Sequence, residues 1–181
     1  MRLFWRKGFA TTSMHDLCDA MGIRSPSLYA AFGSKEALYM EAIQRYIGVV
    51  GPTIWDRLDE DDSARVGVEN LLQAAIDSLS KSDFIPGGCM AVLGGVSDEW
   101  PAAIVEMIRD VRGQMLDRLR RRLTRAAVDG ELPPGADVER LSRLFFSIFQ
   151  GLAIQARDGA TADDLRGVAT AAMAAWPEGG R

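Results

Sequence analysis

Residues 7–43 read KGFATTSMHDLCDAMGIRSPSLYAAFGSKEALYMEAI, and the fold follows from this stretch. Ser13 is placed to cap a helix on which Met14, Leu17, Cys18 and Met21 recur at steps of three and four, the period of one helix face. Leu17, Cys18 and Met21 are therefore expected in a core. Gly22 ends this helix, because a turn that needs positive φ costs glycine little. Ser25 is the expected cap of a second short helix over 26–32, with Pro26 at its first position and Leu28 and Phe32 facing inward. Gly33 stops it, and Ser34 caps a further helix that opens Lys35-Glu36-Ala37-Leu38. Two short helices joined by a glycine turn make a helix-turn-helix, whose second helix can enter the major groove of DNA.

Further along, the sequence reads as helices separated by short breaks. Val68, Leu71, Leu72, Ala75, Ile76 and Leu79 define one helix face over 66–79. Ile104, Ile108, Val111, Met115, Leu119 and Leu123 define another over 101–128, which Pro101 opens. Leu141, Leu144, Phe145, Ile148, Phe149 and Leu152 mark a third over 137–157. Thr161 and Asp164 resemble a capping box for a final small-residue helix ending near Trp176 and Pro177. Breaks are expected at Gly51-Pro52, Pro86-Gly87-Gly88, Gly94-Gly95 and over 130–135. The run 89–93 reads as a short helix from its context. No stretch alternates apolar and polar residues convincingly, so no sheet is expected. The expected fold is all-α, with about nine helices. A three-helix helix-turn-helix domain over 1–47 precedes a helical ligand-binding and dimerisation domain over 48–181.

Composition supports a globular protein: 181 residues, 48% of them hydrophobic. No apolar run reaches the roughly 18 residues that a membrane span needs, and the basic start lacks the apolar segment of a signal peptide. Cys18 and Cys89 form neither a metal-ligand pattern nor a disulfide framework, so a reduced, cytoplasmic protein is expected. Residues 1–50 carry six Lys/Arg against four acids, whereas the whole chain has a net charge of −4. A mildly basic head on an acidic body suits a protein that presents only its head to DNA.

The quoted stretch closely resembles the DNA-binding region of the TetR/AcrR family of repressors. Gly8, Phe9, Thr12, Ser13, Leu17, Ala20, Gly22, Ile23, Ser27, Leu28, Tyr29, Phe32, Ser34, Lys35, Glu36 and Leu38 carry the resemblance, over about a quarter of the chain. It implies a homodimer that releases a palindromic double-stranded operator when a small effector binds. Thr12 and Ser13 open a helix whose hydroxyls and N–H groups can hold a phosphate. Ser25, Ser27 and Tyr29 lie on the recognition helix, Arg24 in the turn before it, and Lys35 can neutralise a phosphate. Two departures stand out. Ala30 and Ala31 replace the larger residues usual after Tyr29, and Pro26 stands where glycine is common. Readout is then expected partly through thymine methyls, phosphates and DNA shape. The family's first helix is usually longer. Arg2-Leu3-Phe4-Trp5 reads as its second half, either truncated or natively short; truncation would leave Leu3, Phe4 and Phe9 covering the core poorly.

In the body, Leu144, Phe145, Ile148, Phe149 and Leu152 together with Val168, Ala171, Ala172 and Ala175 are expected to form a four-helix interface between two copies. A mainly apolar effector pocket is expected among Trp55, Leu72, Phe84, Cys89, Met90 and Leu93. Trp100, Ile104, Met107, Ile108, Phe146 and Phe149 would complete its wall. Cys89 lies near a helix N-terminus, which is expected to lower a thiol pKa; a buried inert thiol is the favoured reading, and a sensor of electrophiles, oxidants or a soft metal is the alternative. His15, Cys18 and Asp19 share metal-ligand spacing, but three ligands on one short helix rarely close a site. The acidic run 59–62 and the basic run 118–125 read as solvated faces. With one histidine and no paired carboxylates, no enzyme, metal or cofactor is expected.

Overall fold

Short polar side chains start most of the helices. Ser13, Ser34, Ser63, Asp137 and Thr161 each accept a backbone N–H three residues on. Ser13 with Asp16 and Thr161 with Asp164 form full capping boxes. The computed structural model describes residues 1–80, 86–96 and 99–177. The described residues form α1 (Arg2–Lys7), α2 (Met14–Met21), α3 (Ser25–Phe32) and α4 (Lys35–Trp55), then a 3-10 turn (Asp56–Asp59). Beyond it come α5 (Ala64–Leu79), α6 (Met90–Leu93), α7 (Ala102–Val128), α8 (Val138–Asp158) and α9 (Ala162–Met173), with no strand among them. The all-α expectation holds.

Two local expectations change. The cap of α3 is Arg24, not Ser25, which is already helical and makes no capping bond; with Pro26 in the first turn, one orphan N–H is simply missing. Gly51-Pro52 does not break α4, which continues to Trp55. Pro52 removes one N–H, but the carbonyl it would have served belongs to Gly48, which is exposed to water. Beyond it, Ile54 and Trp55 are buried and hold the last turn down. The anticipated division at residue 47 thus falls inside a single helix that leaves the head and enters the body.

The body is built around α5, which lies against the 3-10 turn, α4, α8 and α9, while α7 lies against α8. Val68, Leu71, Leu72, Ala75, Ile76 and Leu79 of α5 are completely buried, the branched side chains each contributing about 1.5–3 kcal/mol at most. Gly67 lets the 3-10 turn approach, because a Cβ there would overlap the Leu58 carbonyl.

The acidic run stays exposed to solvent, as do Arg121 and Arg125, but two arginines of the basic run, Arg118 and Arg122, reach back to it. Arg118 pairs with Asp56 at 3.0 Å and with Asp59 at 2.8 Å. Arg122, only 6% exposed, donates to the carbonyls of Asp61 and Asp62 at 3.2 and 2.7 Å. It also pairs with Glu131 at 3.3 Å, whose other oxygen accepts the Ala64 N–H at the start of α5.

Candidate nucleic-acid interface

The head is a small aromatic-rich core. Phe4, Trp5, Phe9, Leu17, Leu28, Leu38 and Tyr39 are all buried. Phe4 and Phe9 meet the Tyr39 ring edge-on at 4.9 and 5.3 Å. Short as α1 is, Phe4 and Phe9 cover this core well, and Leu3 packs against it. Gly22 makes the turn between α2 and α3 at φ 65°, which aims α3. Leu28 points inward with no exposed surface. Arg24, Ser25, Ser27, Ala30 and Ala31 point outward, as does Tyr29, which is 48% exposed. Met21, expected in the core, is 40% exposed: it is the last residue of α2, where the stripe has rotated away from the head.

The first turn of α2 departs from expectation. Thr12 is fully buried, and its hydroxyl donates to the Gly8 carbonyl at 2.6 Å. Its side chain therefore positions the loop and does not face DNA. Ser13 directs its backbone N–H and its hydroxyl at Asp16 Oδ2, at 2.9 and 2.8 Å. Lys7 Nζ pairs with Asp16 Oδ1 at 2.8 Å. The Lys7 ammonium first, then the Ser13 donors, hold the Asp16 carboxyl well below the usual carboxylate range. An internal carboxylate therefore occupies donors expected to serve a phosphate. Lys35 lies back on the head, its Nζ 4.4 Å from the Phe9 ring centre and 3.5 Å from the Ala10 carbonyl. Arg24, Ser25, Ser27 and Tyr29 are the predicted contacts that stand clear. Cys18 turns into the core while His15 and Asp19 face solvent 3.4 Å apart, so these three do not converge. No group of three or more metal-ligating side chains occurs among the described residues.

A seam joins head to body. Arg157 of α8 donates to the Trp5 carbonyl at 2.5 Å and the Arg6 carbonyl at 3.4 Å, the free carbonyl end of α1. It also reaches the Pro86 and Gly87 carbonyls at 3.3 and 3.4 Å. Trp5 Nε1 donates to the Gly88 carbonyl at 3.1 Å. Trp100, expected in the effector pocket, instead stacks on Phe9 at 5.6 Å and leans on Tyr39 at 5.5 Å. Sequence reading missed Arg157 and the Ser13–Asp16 box; only the second had a local signal, the same spacing seen at Thr161 and Asp164.

The other pocket candidates pack tightly. Leu72, Ile104, Ile108 and Phe149 have no exposed surface, and Met90 and Phe146 little; Leu93 and Met107 are half-buried. Phe149 meets Trp55 at 5.1 Å and stacks on Phe146 at 6.3 Å. Trp55 and Leu72 each also edge a surface hollow, and Phe84 lies outside the described residues. Cys89 is buried at the start of α6, and burial pushes its thiol pKa up, reversing the expected lowering. A four-residue α6 offers little dipole to oppose that.

Of the interface candidates, Phe145, Phe149 and Leu152 are wholly inside the protomer, and Ala172 nearly so. Phe145 lies 5.7 Å from Trp176. The surface they leave is Leu144, Ile148 and Ile154 on α8 with Val168 and Ala171 on α9 and Ala175 in the turn after it. Ile154, 48% exposed, was not anticipated.

A helix-turn-helix head continuous through α4 with an all-helical body defines a class of DNA-binding regulators. Comparison with known proteins agrees. The N-terminal model of bacterial regulatory proteins of the tetR family matches residues 1–43, and a tetracyclin repressor-like C-terminal domain matches residues 66–175. The HTH-type transcriptional repressor ComR of Escherichia coli is 32% identical over 98% of this chain and 85% of its own length. BdcR of the same organism, also an HTH-type transcriptional repressor, is 30% identical over 95% of this chain and 81% of its own. A cysteine-substituted CifR, a TetR family regulator complexed with 26-base-pair operator DNA, has 37% identity and a TM-score of 0.90. That similarity covers 97% of this chain and 92% of CifR. The chain belongs to the TetR family of bacterial regulatory proteins. No helix among the described residues is long and apolar enough to cross a membrane.

Proposed function

We propose that this chain is a cytoplasmic, non-enzymatic transcriptional repressor. It binds a palindromic operator as a homodimer and releases it when a small effector occupies the body. The single observation that carries this reading is the outward polar face of α3 and its cap (Arg24, Ser25, Ser27, Tyr29) held on an aromatic core. Relatives named as repressors, and CifR on its operator, support it. In a two-fold dimer joined through α8 and α9, the recognition helices would lie about one DNA turn apart, 34–36 Å. Residues 1–47 serve as head and 48–181 as body, with α4 as the shared lever. Effector and DNA affinity are then reciprocally coupled, because each shifts the same α4 and seam.

The test is fluorescence anisotropy of the full chain with duplex DNA at two salt concentrations. A repressor head gives salt-steep binding. Arg24 has no acidic partner among the described residues, so Arg24→Ala flattens the slope of log affinity against log salt by about one unit. Binding insensitive to salt contradicts the reading.

A further inference from the structure

A hollow of about 320 Å³ opens between the second half of α4 and the middle of α7. Its apolar wall is Ile47, Pro52 and Trp55 from α4 with Val111 and Met115 from α7. A second hollow, about 390 Å³, continues along α7 and is lined by Asp59 and four arginines. Arg118 and Arg121 border both, so the two hollows adjoin, an apolar trough beside a cationic one.

The cations differ in what holds them. Arg118 closes on Asp56 and Asp59, Arg122 on Glu131, and Arg125 on Asp129. Arg121 is exposed and pairs with no acid among the described residues. Asp56 stands on the rim, but Arg118 already neutralises it at 3.0 Å. One guanidinium is therefore available where the apolar wall ends, a geometry suited to bidentate capture of a single carboxylate.

We infer that the apolar trough binds an amphipathic carboxylate, its hydrocarbon body against Trp55, Pro52 and Met115 and its carboxylate on Arg121. The hollow sits at the lower end of the roughly 300–1,000 Å³ usual for small-molecule sites, which fits a chain of modest length. This names the effector class and rests on the proposed function above. Its wall is the half of α4 that enters the body, so an occupant bears directly on the helix that carries the head.

The test is calorimetric titration of the full-length protein with octanoate, octanol and octylamine. Octanoate binds at least about tenfold more tightly than the other two, the effect expected of one charge-assisted contact. Arg121→Gln brings octanoate to the octanol level and leaves octanol unchanged. Met115→Trp fills the apolar end and removes both; Ile47→Trp serves if that variant melts early. Octanoate binding that survives Arg121→Gln, or that neither tryptophan touches, or that never occurs, overturns the inference. DNA binding of the same proteins without octanoate separates the failures. Intact DNA binding without octanoate binding removes only the trough, whereas an unmutated protein that binds no DNA removes the repressor reading.

Discussion

Asp16 and Tyr46 show opposite ways of handling a polar side chain. Asp16 is tied to Lys7 and Ser13, and its carboxyl is held below its ordinary value. A group whose pKa is depressed in the folded state contributes stability above its unfolded value, near pH 4, and loses it as the pH falls further. Asp16→Asn should therefore lower the melting temperature at pH 7, and the difference from the parent should shrink as the pH drops below about 4. A difference constant across that range would show that the box owes nothing to charge. The Tyr46 hydroxyl is buried beside the Cys89 thiol and makes no hydrogen bond of ordinary geometry. Its ring still meets Trp5 at 5.0 Å, a contact phenylalanine keeps. Tyr46→Phe should raise stability by about 1–2 kcal/mol, because an unpartnered buried hydroxyl carries a desolvation penalty. A rise in urea midpoint with unchanged slope would show it.

At the scale of elements, α7 is fastened to the start of α5 through Arg122. Its guanidinium serves two carbonyls of the acidic loop and the Glu131 carboxylate. Arg122→Ala should cost about 3–5 kcal/mol in denaturant unfolding, since it strands Glu131 beside buried surface and leaves two carbonyls short of a donor. A cost below about 1 kcal/mol would place Arg122 with ordinary surface ion pairs. Such contacts explain what sequence reading reached and what it did not. Caps at Ser13, Ser34 and Thr161 are legible because cap and recipient lie three residues apart. Apart from Glu131, the partners of Arg122 and Arg157 are carbonyls some 60 to 152 positions away, and a carbonyl has no residue type to read. The face of α8 was ambiguous for another reason. Leu144 and Ile148 make one apolar row and Phe145, Phe149 and Leu152 make another. Only the arrival of Trp55 and Trp176 decides which one is core. In the head, the scaffold of α3 was legible throughout. The loss of Thr12 and Ser13 as free donors was not, because it needs the loop geometry at Gly8 and the reach of Lys7.

For the whole molecule, the exposed apolar surface of α8 and α9 bears on assembly. Ile154→Glu places a charge on that surface without touching the protomer core. Sedimentation should show a monomer, and operator affinity should fall steeply because two heads no longer bind as one. A dimer that survives the charge would locate the interface elsewhere. The seam has a different kind of consequence. On the head side, Arg157 grips only the carbonyl end of α1, which every helix possesses. Apart from the Trp5 indole and the Phe9 and Tyr39 rings that meet Trp100, that junction asks little of the head's particular residues. Recognition helices can therefore diversify, or whole heads be exchanged among relatives that keep these three aromatic side chains, while the body's grip remains intact. The seam works as a universal coupling, leaving operator choice and effector choice free to change independently.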